Sequence, residues 1–121
     1  MEPRELKERC MHFAVNVASL WRTAPPAWPT QRVSDQVFRS AASVAANYHA
    51  ACRARSGREF IAKLGLVIEE AEETVFWLEF AARIKLVEAA RTAPLLREAR
   101  ELLAIFTASA KTASAGVQGR R

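Results

Sequence analysis

Glycine is scarce in this sequence, and cysteine and tyrosine are scarcer: the 121 residues include four glycines, two cysteines and one tyrosine. Alanine is abundant instead, and it favours helices because it loses no side-chain entropy there. Cys10 and Cys52 form no CxxC pair, and both fall within helical apolar patterns. We expect two reduced core thiols, with a disulfide or a metal pair as the weaker alternative.

Long apolar runs are also missing. No stretch reaches the ~20 apolar residues that cross a membrane, and the N-terminal sequence MEPRELKERC is too charged for a secretory signal peptide. A chain of this length buries a sufficient core without a disulfide or a metal. We therefore expect one cytoplasmic domain with no membrane association.

The residue patterns of common catalytic and metal sites are missing as well. The chain has two histidines, His12 and His49, and no glycine-rich phosphate loop. Di-metal sites in helical bundles use Glu-x-x-His motifs, but Arg9 and Ala46 stand three residues before the two histidines. The acidic cluster at residues 69–73 therefore has no facing motif that would complete a metal site. We expect no enzyme activity, no metal and no cofactor.

Apolar residues recur at helical spacing in four segments, and each segment has one stripe for the core. The four stripes are Leu6, Cys10, Phe13, Val17 and Leu20; Val33, Val37, Ala41, Val44, Tyr48 and Ala51; Ile61, Leu64, Ile68, Ala71, Val75, Leu78 and Ala82; and Leu95, Ala99, Leu102, Leu103, Phe106 and Ala110. These stripes predict four amphipathic helices that pack together.

Turn and cap residues set the predicted helix bounds. The helices are expected over residues 3–22, from Thr30 or Ser34 to about Arg53, from a Ser56 cap to about Lys85, and from Pro94 onwards with Thr92 as its cap. Residues 23–29, TAPPAWP, contain three prolines and form a loop, with Trp28 expected to fold back onto the core. The short links predict an all-α, up-down-up-down antiparallel four-helix bundle over residues 1–113, followed by a disordered tail at residues 114–121.

The third helix also has apolar side chains opposite its core stripe. An outer helix of a lone bundle is polar on that side, so a helix that is apolar on two faces is covered on two faces. We predict a subunit interface there, formed by Leu66, Phe76, Trp77, Phe80 and Ile84. Its mate is expected to be the alanine-rich face of the second helix or the outer face of the first helix in the next subunit.

Polar residues flank the core stripe of the second helix. Arg39, Ser43 and Asn47 lie off that stripe, and Glu72 and Glu79 lie on the rim of the third helix. We predict that these five residues form a structural polar network between helices or with a neighbouring subunit.

The net charge of +5 is unevenly distributed. Residues 22–58 contain six arginines and one aspartate, whereas residues 59–88 contain three basic residues and seven glutamates. The candidate nucleic-acid-binding residues are Arg53, Arg55, Arg58, Arg97 and Arg100. Because no aromatic residues are interleaved with them, contacts to the phosphate backbone are expected rather than base recognition. A solvated basic face, or charge used for self-association, is the alternative.

The central stretch RSAASVAANYHAACRARSGREFIAKLGLVIEEAEETVFWLEF resembles the four-helix-bundle family of proteins encoded in 23S rRNA intervening sequences. The accessory proteins of diversity-generating retroelements are distantly similar. The pattern residues present here are Arg39, Ser40, Ser43, Asn47, Arg53, Arg55, Ser56, Phe60, Lys63, Glu69, Glu72, Glu73, Thr74, Trp77, Leu78 and Glu79. Ala50 departs from the pattern, which has Glu at that position.

The resemblance implies a small cytoplasmic bacterial protein that forms a ring, typically a homopentamer with a central channel. It also implies association with RNA, DNA or a ribonucleoprotein. A scaffold ring that binds a protein partner, such as a reverse transcriptase, and has no nucleic-acid role is the alternative. Salt-dependent retention of RNA would discriminate between the two functions.

Overall fold

Helices make up nearly all of the part of the chain that the computed structural model describes, which is residues 1–21 and 29–119. The elements are α1 Pro3–Ala18, a 3-10 turn Ser19–Trp21, α2 Thr30–Ala51, α3 Gly57–Arg83 and α4 Ala89–Gln118. The all-α fold class predicted from the four apolar stripes is confirmed.

Each helix packs against its neighbours in sequence, and α4 returns to pack against α1. The Arg9 guanidinium donates two hydrogen bonds to the Glu98 carboxylate, at 2.8 and 2.7 Å. Nearer the end of α1, Arg91 donates to the Leu20 carbonyl at 3.0 Å. Since residue numbers rise along α1 as they fall along α4, these two helices are antiparallel. The turns from α2 to α3 and from α3 to α4 are short, so those two pairs are antiparallel. Because α1 is antiparallel to α4, it is then antiparallel to α2 as well.

The predicted core stripes of α1 and α2 are confirmed, because every member is buried. The rings of Tyr48 and Phe106 lie 5.7 Å apart and join α2 to α4. In α3 the predicted stripe is confirmed at Leu64, Ala71 and Leu78, but the buried positions between them are shifted by one residue. Val67 and Thr74 are buried there, whereas Ile68 and Val75 are only half-buried beside them.

Three of the four helix starts agree with the sequence: α1 begins at Pro3, α2 at Thr30 and α3 directly after Ser56. Ser56 caps α3 as predicted, since its hydroxyl accepts the Glu59 backbone N–H at 3.1 Å. The predicted cap of α2 is wrong: α2 follows Pro29 without a side-chain cap, and the Ser34 hydroxyl instead donates to a carbonyl of its own helix.

Helix α4 begins earlier than its only proline suggests. The Glu88 carbonyl accepts the Arg91 N–H at 2.9 Å and so closes a first turn ahead of Pro94. Thr92, the predicted cap, is buried inside the helix, where its hydroxyl donates to the Ala89 carbonyl. Pro94 is the sixth residue of α4 and lacks the N–H that would donate to the Ala90 carbonyl, so the helix loses one backbone bond near its start.

Helix α4 also ends later than predicted. It continues to Gln118, so residues 114–118 are helical rather than part of a disordered tail. The physical reason is packing: a Cβ placed on Gly57 would lie 2.8 Å from the Val117 side chain, which shows how closely the two residues approach. Arg120 and Arg121 lie outside the described residues, as do the predicted loop prolines Pro25 and Pro26 and Trp28.

The α3–α4 turn is closed by two backbone hydrogen bonds. The Lys85 N–H donates to the Ala82 carbonyl at 3.1 Å, and the Leu86 N–H donates to the Ala81 carbonyl at 3.0 Å. These bonds form a Schellman motif, in which the residue after the cap is left-handed. Here that residue is Lys85, with φ of 62°. Among residues 1–21 and 29–119, no helix is long and apolar enough to cross a membrane.

Candidate functional site

Three aromatic rings cluster on the exterior of α3. The Phe76 ring centroid lies 5.1 Å from that of Trp77 and 6.1 Å from that of Phe80, and the Trp77 and Phe80 centroids lie 5.6 Å apart. Beside them is an open groove of about 590 Å³ that Glu72, Glu79, Arg83 and Ile84 also line. The groove is apolar at its floor and charged at its rim, which suits a protein surface better than a small-molecule site.

The five predicted interface residues are not equally exposed. Phe76 is 58% exposed and Leu66 50%, and Ile84 is also exposed. Trp77 and Phe80 are half-buried, and Trp77 packs against the bundle core. Trp77 therefore belongs partly to the core of its own subunit. Leu66 stands roughly 15 Å along the helix from Phe76, at ~1.5 Å per residue, so it is separate from the aromatic cluster.

Sequence reasoning missed three other exposed apolar side chains. Met11 and Val15 lie on the exterior of α1 at 46% and 54% exposure, and Phe38 lies on α2 at 57%. Their spacing held the available clue: Met11 and Val15 are one turn apart and off the core stripe of α1. A helix that exposes two such neighbours has a second apolar face, as α3 does.

Arg39 lies at the centre of the polar contacts between α2 and α3. Its guanidinium pairs with the Glu70 carboxylate at 3.1 Å and forms a short contact with the Glu73 carboxylate. The hydrogen bond from Arg39 holds the pKa of Glu73 below its ordinary value, and the Trp77 indole N–H contributes less. Arg39 thus pairs with Glu70 and Glu73 of α3, and not with Glu72 or Glu79, the glutamates of the predicted network.

Among the described residues of this one chain, the other predicted members of the polar network do not bond between α2 and α3. The Asn47 amide donates to the Ser43 carbonyl at 2.9 Å, one turn back in its own helix. The Glu79 carboxylate accepts from Arg100 of α4 at 2.8 Å. Glu72 is exposed and has no ion pair among the residues described. The intrahelical bond explains the difference for Asn47, since a carbonyl one turn away is always within its reach.

A buried hydroxyl pair joins α2 to α3 instead. Ser40 and Thr74 are fully buried, and their hydroxyl oxygens lie 3.0 Å apart. Ser40 Oγ is also 3.2 Å from the Val37 carbonyl, and Thr74 Oγ1 is 2.8 Å from the Glu70 carbonyl. Each hydroxyl thus has an acceptor, which lowers the cost of burying it.

The structure divides the five candidate nucleic-acid-binding arginines into two groups. Arg53, Arg55 and Arg58 are exposed at the α2–α3 turn. The guanidinium of Arg55 lies 4.0 Å from the Glu59 carboxylate, at the limit of an ion pair. The close approach of Val117 and Gly57 places this turn at the C-terminal end of α4.

The second group lies elsewhere. Arg97 and Arg100 are roughly 27–32 Å along α4 from its C-terminal end, at ~1.5 Å per residue. Arg100 also pairs with Glu79 at 2.8 Å. The α2–α3 turn therefore concentrates the available positive charge better than α4 does.

The two cysteines are free thiols. Burial raises the pKa of Cys10 to about 12, so its thiol stays protonated and unreactive. Across residues 1–21 and 29–119, no three His, Cys, Asp or Glu side chains come together in a way that could hold a metal ion.

Comparison with known proteins supports the same architecture. The chain is similar to a solved structure from Bacteroides thetaiotaomicron, a protein with unknown function from the S23 ribosomal protein family, with a TM-score of 0.81 and 27% sequence identity. The match covers 92% of this chain and 99% of that one. No curated protein matches the chain. The family model described as 23S rRNA-intervening sequence protein matches residues 4–108, so the chain belongs to the 23S rRNA-intervening sequence protein family.

Proposed function

We propose that this protein is a non-enzymatic, cytoplasmic accessory protein that assembles into a homopentameric ring and associates with nucleic acid or a ribonucleoprotein. The family assignment supports the proposal, as does the solved relative's description as a member of the S23 ribosomal protein family. The observation that carries it is the exposed arginine cluster of the α2–α3 turn, Arg53, Arg55 and Arg58.

The exterior of α3 supports the ring. Phe76 is more than half exposed, next to Phe80, Trp77 and Ile84. Burying one large apolar side chain contributes roughly 1.5–3 kcal/mol, so a few per subunit can hold an assembly together. A contact between two different faces of the same chain propagates from subunit to subunit and closes where the rotation allows.

Symmetry strengthens the nucleic-acid part of the proposal. The α2–α3 turn carries three exposed arginines with one nearby carboxylate, that of Glu59. In a ring each turn lies at the same end of the assembly, so the arginines repeat around it. Several phosphates bound at once release several counterions, which gives tight and salt-sensitive binding without base recognition.

A scaffold ring that binds a protein partner is the second candidate. One observation favours it: ion pairs within the subunit already engage Arg9, Arg39 and Arg100, so less positive charge is available than the net charge suggests. A reverse transcriptase is one partner of this class. In this case the turn arginines would contact an acidic protein surface.

Binding to single-stranded RNA and to duplex DNA, measured against salt concentration, tests the proposal. Replacing Arg53, Arg55 and Arg58 with Gln is expected to weaken binding of all sequences alike. The slope of log K against log salt should fall by about two to three. Binding that is lost for only some sequences, or a wild type that binds neither probe at low salt, would leave the scaffold as the better function.

A matched control removes the same charge elsewhere. Arg32, Lys85 and Arg97 are exposed and lie away from the α2–α3 turn, the first two near the other end of the bundle. Replacing these three with Gln should leave most of the salt slope intact. An equal loss in the control would show that net charge, and not the turn, drives binding.

Two further variants test the ring. Phe76→Glu places a charge on the exterior of α3, and Phe38→Glu does the same on α2 at nearly equal exposure, 58% against 57%. The first should dissociate the assembly in analytical ultracentrifugation, and the second should not. The sequence-based variant Trp77→Glu with Phe80→Glu is less informative, because Trp77 also packs against the core.

A further inference from the structure

The exterior of α1 has a basic half and an apolar half. Arg4 and Lys7, the basic pair, are followed by Met11 and Val15, the apolar pair. Both apolar side chains are about half exposed, at 46% and 54%. At 3.6 residues per turn the four residues fall within an arc of about 80° on the helix surface. They form one continuous stripe that faces away from the bundle core.

The exterior of α3 has the complementary order. Glu69 and Glu72, the acidic pair, are followed by Phe76 and Phe80, the phenylalanine pair. Both glutamates are exposed, as is Phe76, while Phe80 is half-buried. Within residues 1–21 and 29–119, neither the acidic pair nor the basic pair takes part in an ion pair. Both stripes thus offer unpaired charge beside exposed apolar surface.

The two stripes have the same residue spacing. Along α1 the steps between the four residues are three, four and four, and along α3 they are again three, four and four. When the helices lie parallel, one register therefore sets the basic pair against the acidic pair and the apolar pair against the phenylalanine pair. An antiparallel arrangement would oppose charged residues to apolar ones.

The bundle presents the two helices in that parallel orientation. Helix α1 is antiparallel to α2, and α2 is antiparallel to α3, so α1 and α3 run the same way. Each packs on both α2 and α4, which puts α1 and α3 diagonally across the bundle. Their exteriors are two different faces of the chain, as a contact that propagates from head to tail requires.

The levels along the bundle also match. Arg9 pairs with Glu98 and Arg91 bonds the Leu20 carbonyl, which places Arg4 level with about residue 105 of α4. Val117 meets Gly57 and Arg100 pairs with Glu79, which places that residue level with about residue 71 of α3. Arg4 and Glu69 therefore lie within about 4 Å of the same height, at ~1.5 Å per residue. A neighbour related by rotation alone, about an axis along the helices, would bring the two stripes together at the same height.

We propose that the exterior of α1 in one subunit lies parallel along the exterior of α3 in the next, with the basic pair on the acidic pair and the apolar pair on the phenylalanine pair. The occupant of the α3 groove is thus a second copy of this chain. The inference rests on the ring of the proposed function and specifies its subunit contact. Of the two mates expected from the sequence, it selects the outer face of α1 over the alanine-rich face of α2.

Charge reversal tests this contact. The α1 variant combines Arg4→Glu with Lys7→Glu, and the α3 variant combines Glu69→Lys with Glu72→Lys. Each opposes like charges and should weaken the subunit contact about 100-fold or more. Sedimentation velocity at micromolar concentration should then show smaller species for both variants. The chain with all four substitutions restores opposite charges and should recover the wild-type sedimentation coefficient.

A matched control separates the contact from net charge. Arg97 and Lys111 are exposed on α4, and changing both to Glu gives the same net charge as the α1 variant. This control should assemble as the wild type does. Far-UV circular dichroism verifies that each variant remains helical. If one pair of substitutions alone unfolds the protein, the sedimentation coefficient of the four-substitution chain tests the contact.

The outcomes separate this inference from the ring itself. Assembly that survives both charge reversals, or that the four-substitution chain fails to recover, would overturn the α1–α3 contact while leaving a ring built on other surfaces. A wild type that stays monomeric would overturn the ring and the contact together. Dissociation by each reversal with recovery in the combined chain is the result that the proposal predicts.

Discussion

The α3–α4 turn offers a sharp test of the local structure, through the change Lys85→Gly. Lys85 has φ of 62°, in the left-handed region that disfavours side chains. It occupies the position where a Schellman motif most often has glycine. The backbone bonds on either side, from Lys85 to Ala82 and from Leu86 to Ala81, need no side chain and remain in the variant.

The expected gain follows from two opposing terms. A left-handed conformation costs a residue with a Cβ about 1–2 kcal/mol. Glycine avoids that cost but loses about 0.4–1 kcal/mol more conformational entropy on folding. The balance predicts a net stabilisation of about 0.5–1 kcal/mol, which for a domain of this size raises Tm by roughly 2–5 °C.

Urea unfolding measures this difference, with wild type and variants at one protein concentration because self-association makes stability concentration-dependent. Lys85→Ala is the matched control: it removes the same charge and side chain but keeps the Cβ and the strain. The glycine variant should be more stable than both the alanine variant and the wild type. Equal stability of the glycine and alanine variants would refute a left-handed residue at this turn.

Four further substitutions test contacts between and within helices. Arg39→Ala should cost about 0.5–1 kcal/mol near neutral pH, because the pair is partly exposed. The pKa of Glu73 in the folded protein lies below its ordinary value of 4.5. The stabilisation by the Arg39–Glu73 pair is therefore present above pH 4.5 and is lost as the pH falls through the folded pKa. Urea midpoints at neutral and acid pH measure this loss. Ser40→Ala and Thr74→Val should each lower the free energy of unfolding by about 0.5–1.5 kcal/mol. The double variant should lose less than the sum of the two, and a double-mutant cycle measures this coupling. Asn47→Leu should cost less than the ~1–3 kcal/mol expected of a residue that bonds across helices, because it strands no partner on α3; a larger loss of Tm would contradict its intrahelical bond.

The core stripes of α1 and α2 were predictable from spacing alone, because each helix has one strong apolar face. Helix α3 was harder because it is apolar on more than one face. Two stripes one position apart then fit the pattern, and the more aliphatic of them contains Ile68 and Val75. The buried stripe includes Thr74, whose hydroxyl lies 2.8 Å from the Glu70 carbonyl of its own helix and 3.0 Å from the Ser40 hydroxyl on α2. No pattern within a single helix contains that information.

The sequence shows only some of the interactions that determine where the helices begin and end. The Ser56 cap was visible because Glu59 follows it at capping-box spacing. The start of α4 was obscured by Pro94, which is usually a first-turn residue but here stands further in. The end of α4 depends on Val117 meeting Gly57, a contact between residues far apart in the chain. Lys85 lacked the glycine that marks most left-handed turns.

The candidate site was also predictable only in part. Exposure of Phe76, Leu66 and Ile84 was predictable, since each lies opposite the core stripe of α3. The partners of Arg39 were not, because several glutamates on α3 are within reach of a long side chain and only the relative rotation of the helices selects among them. The separation of Arg97 from the turn arginines also needed the packing of α4, which the sequence does not specify.

The solution mass of the wild-type protein tests the central claim, the ring, most directly. Light scattering coupled to size exclusion, at micromolar concentration and moderate salt, should give about five times the subunit mass of 13.5 kDa. The mass should stay constant as the sample is diluted through the micromolar range. A mass of one subunit under these conditions would contradict the ring and would leave the exposed face of α3 without the cover proposed for it.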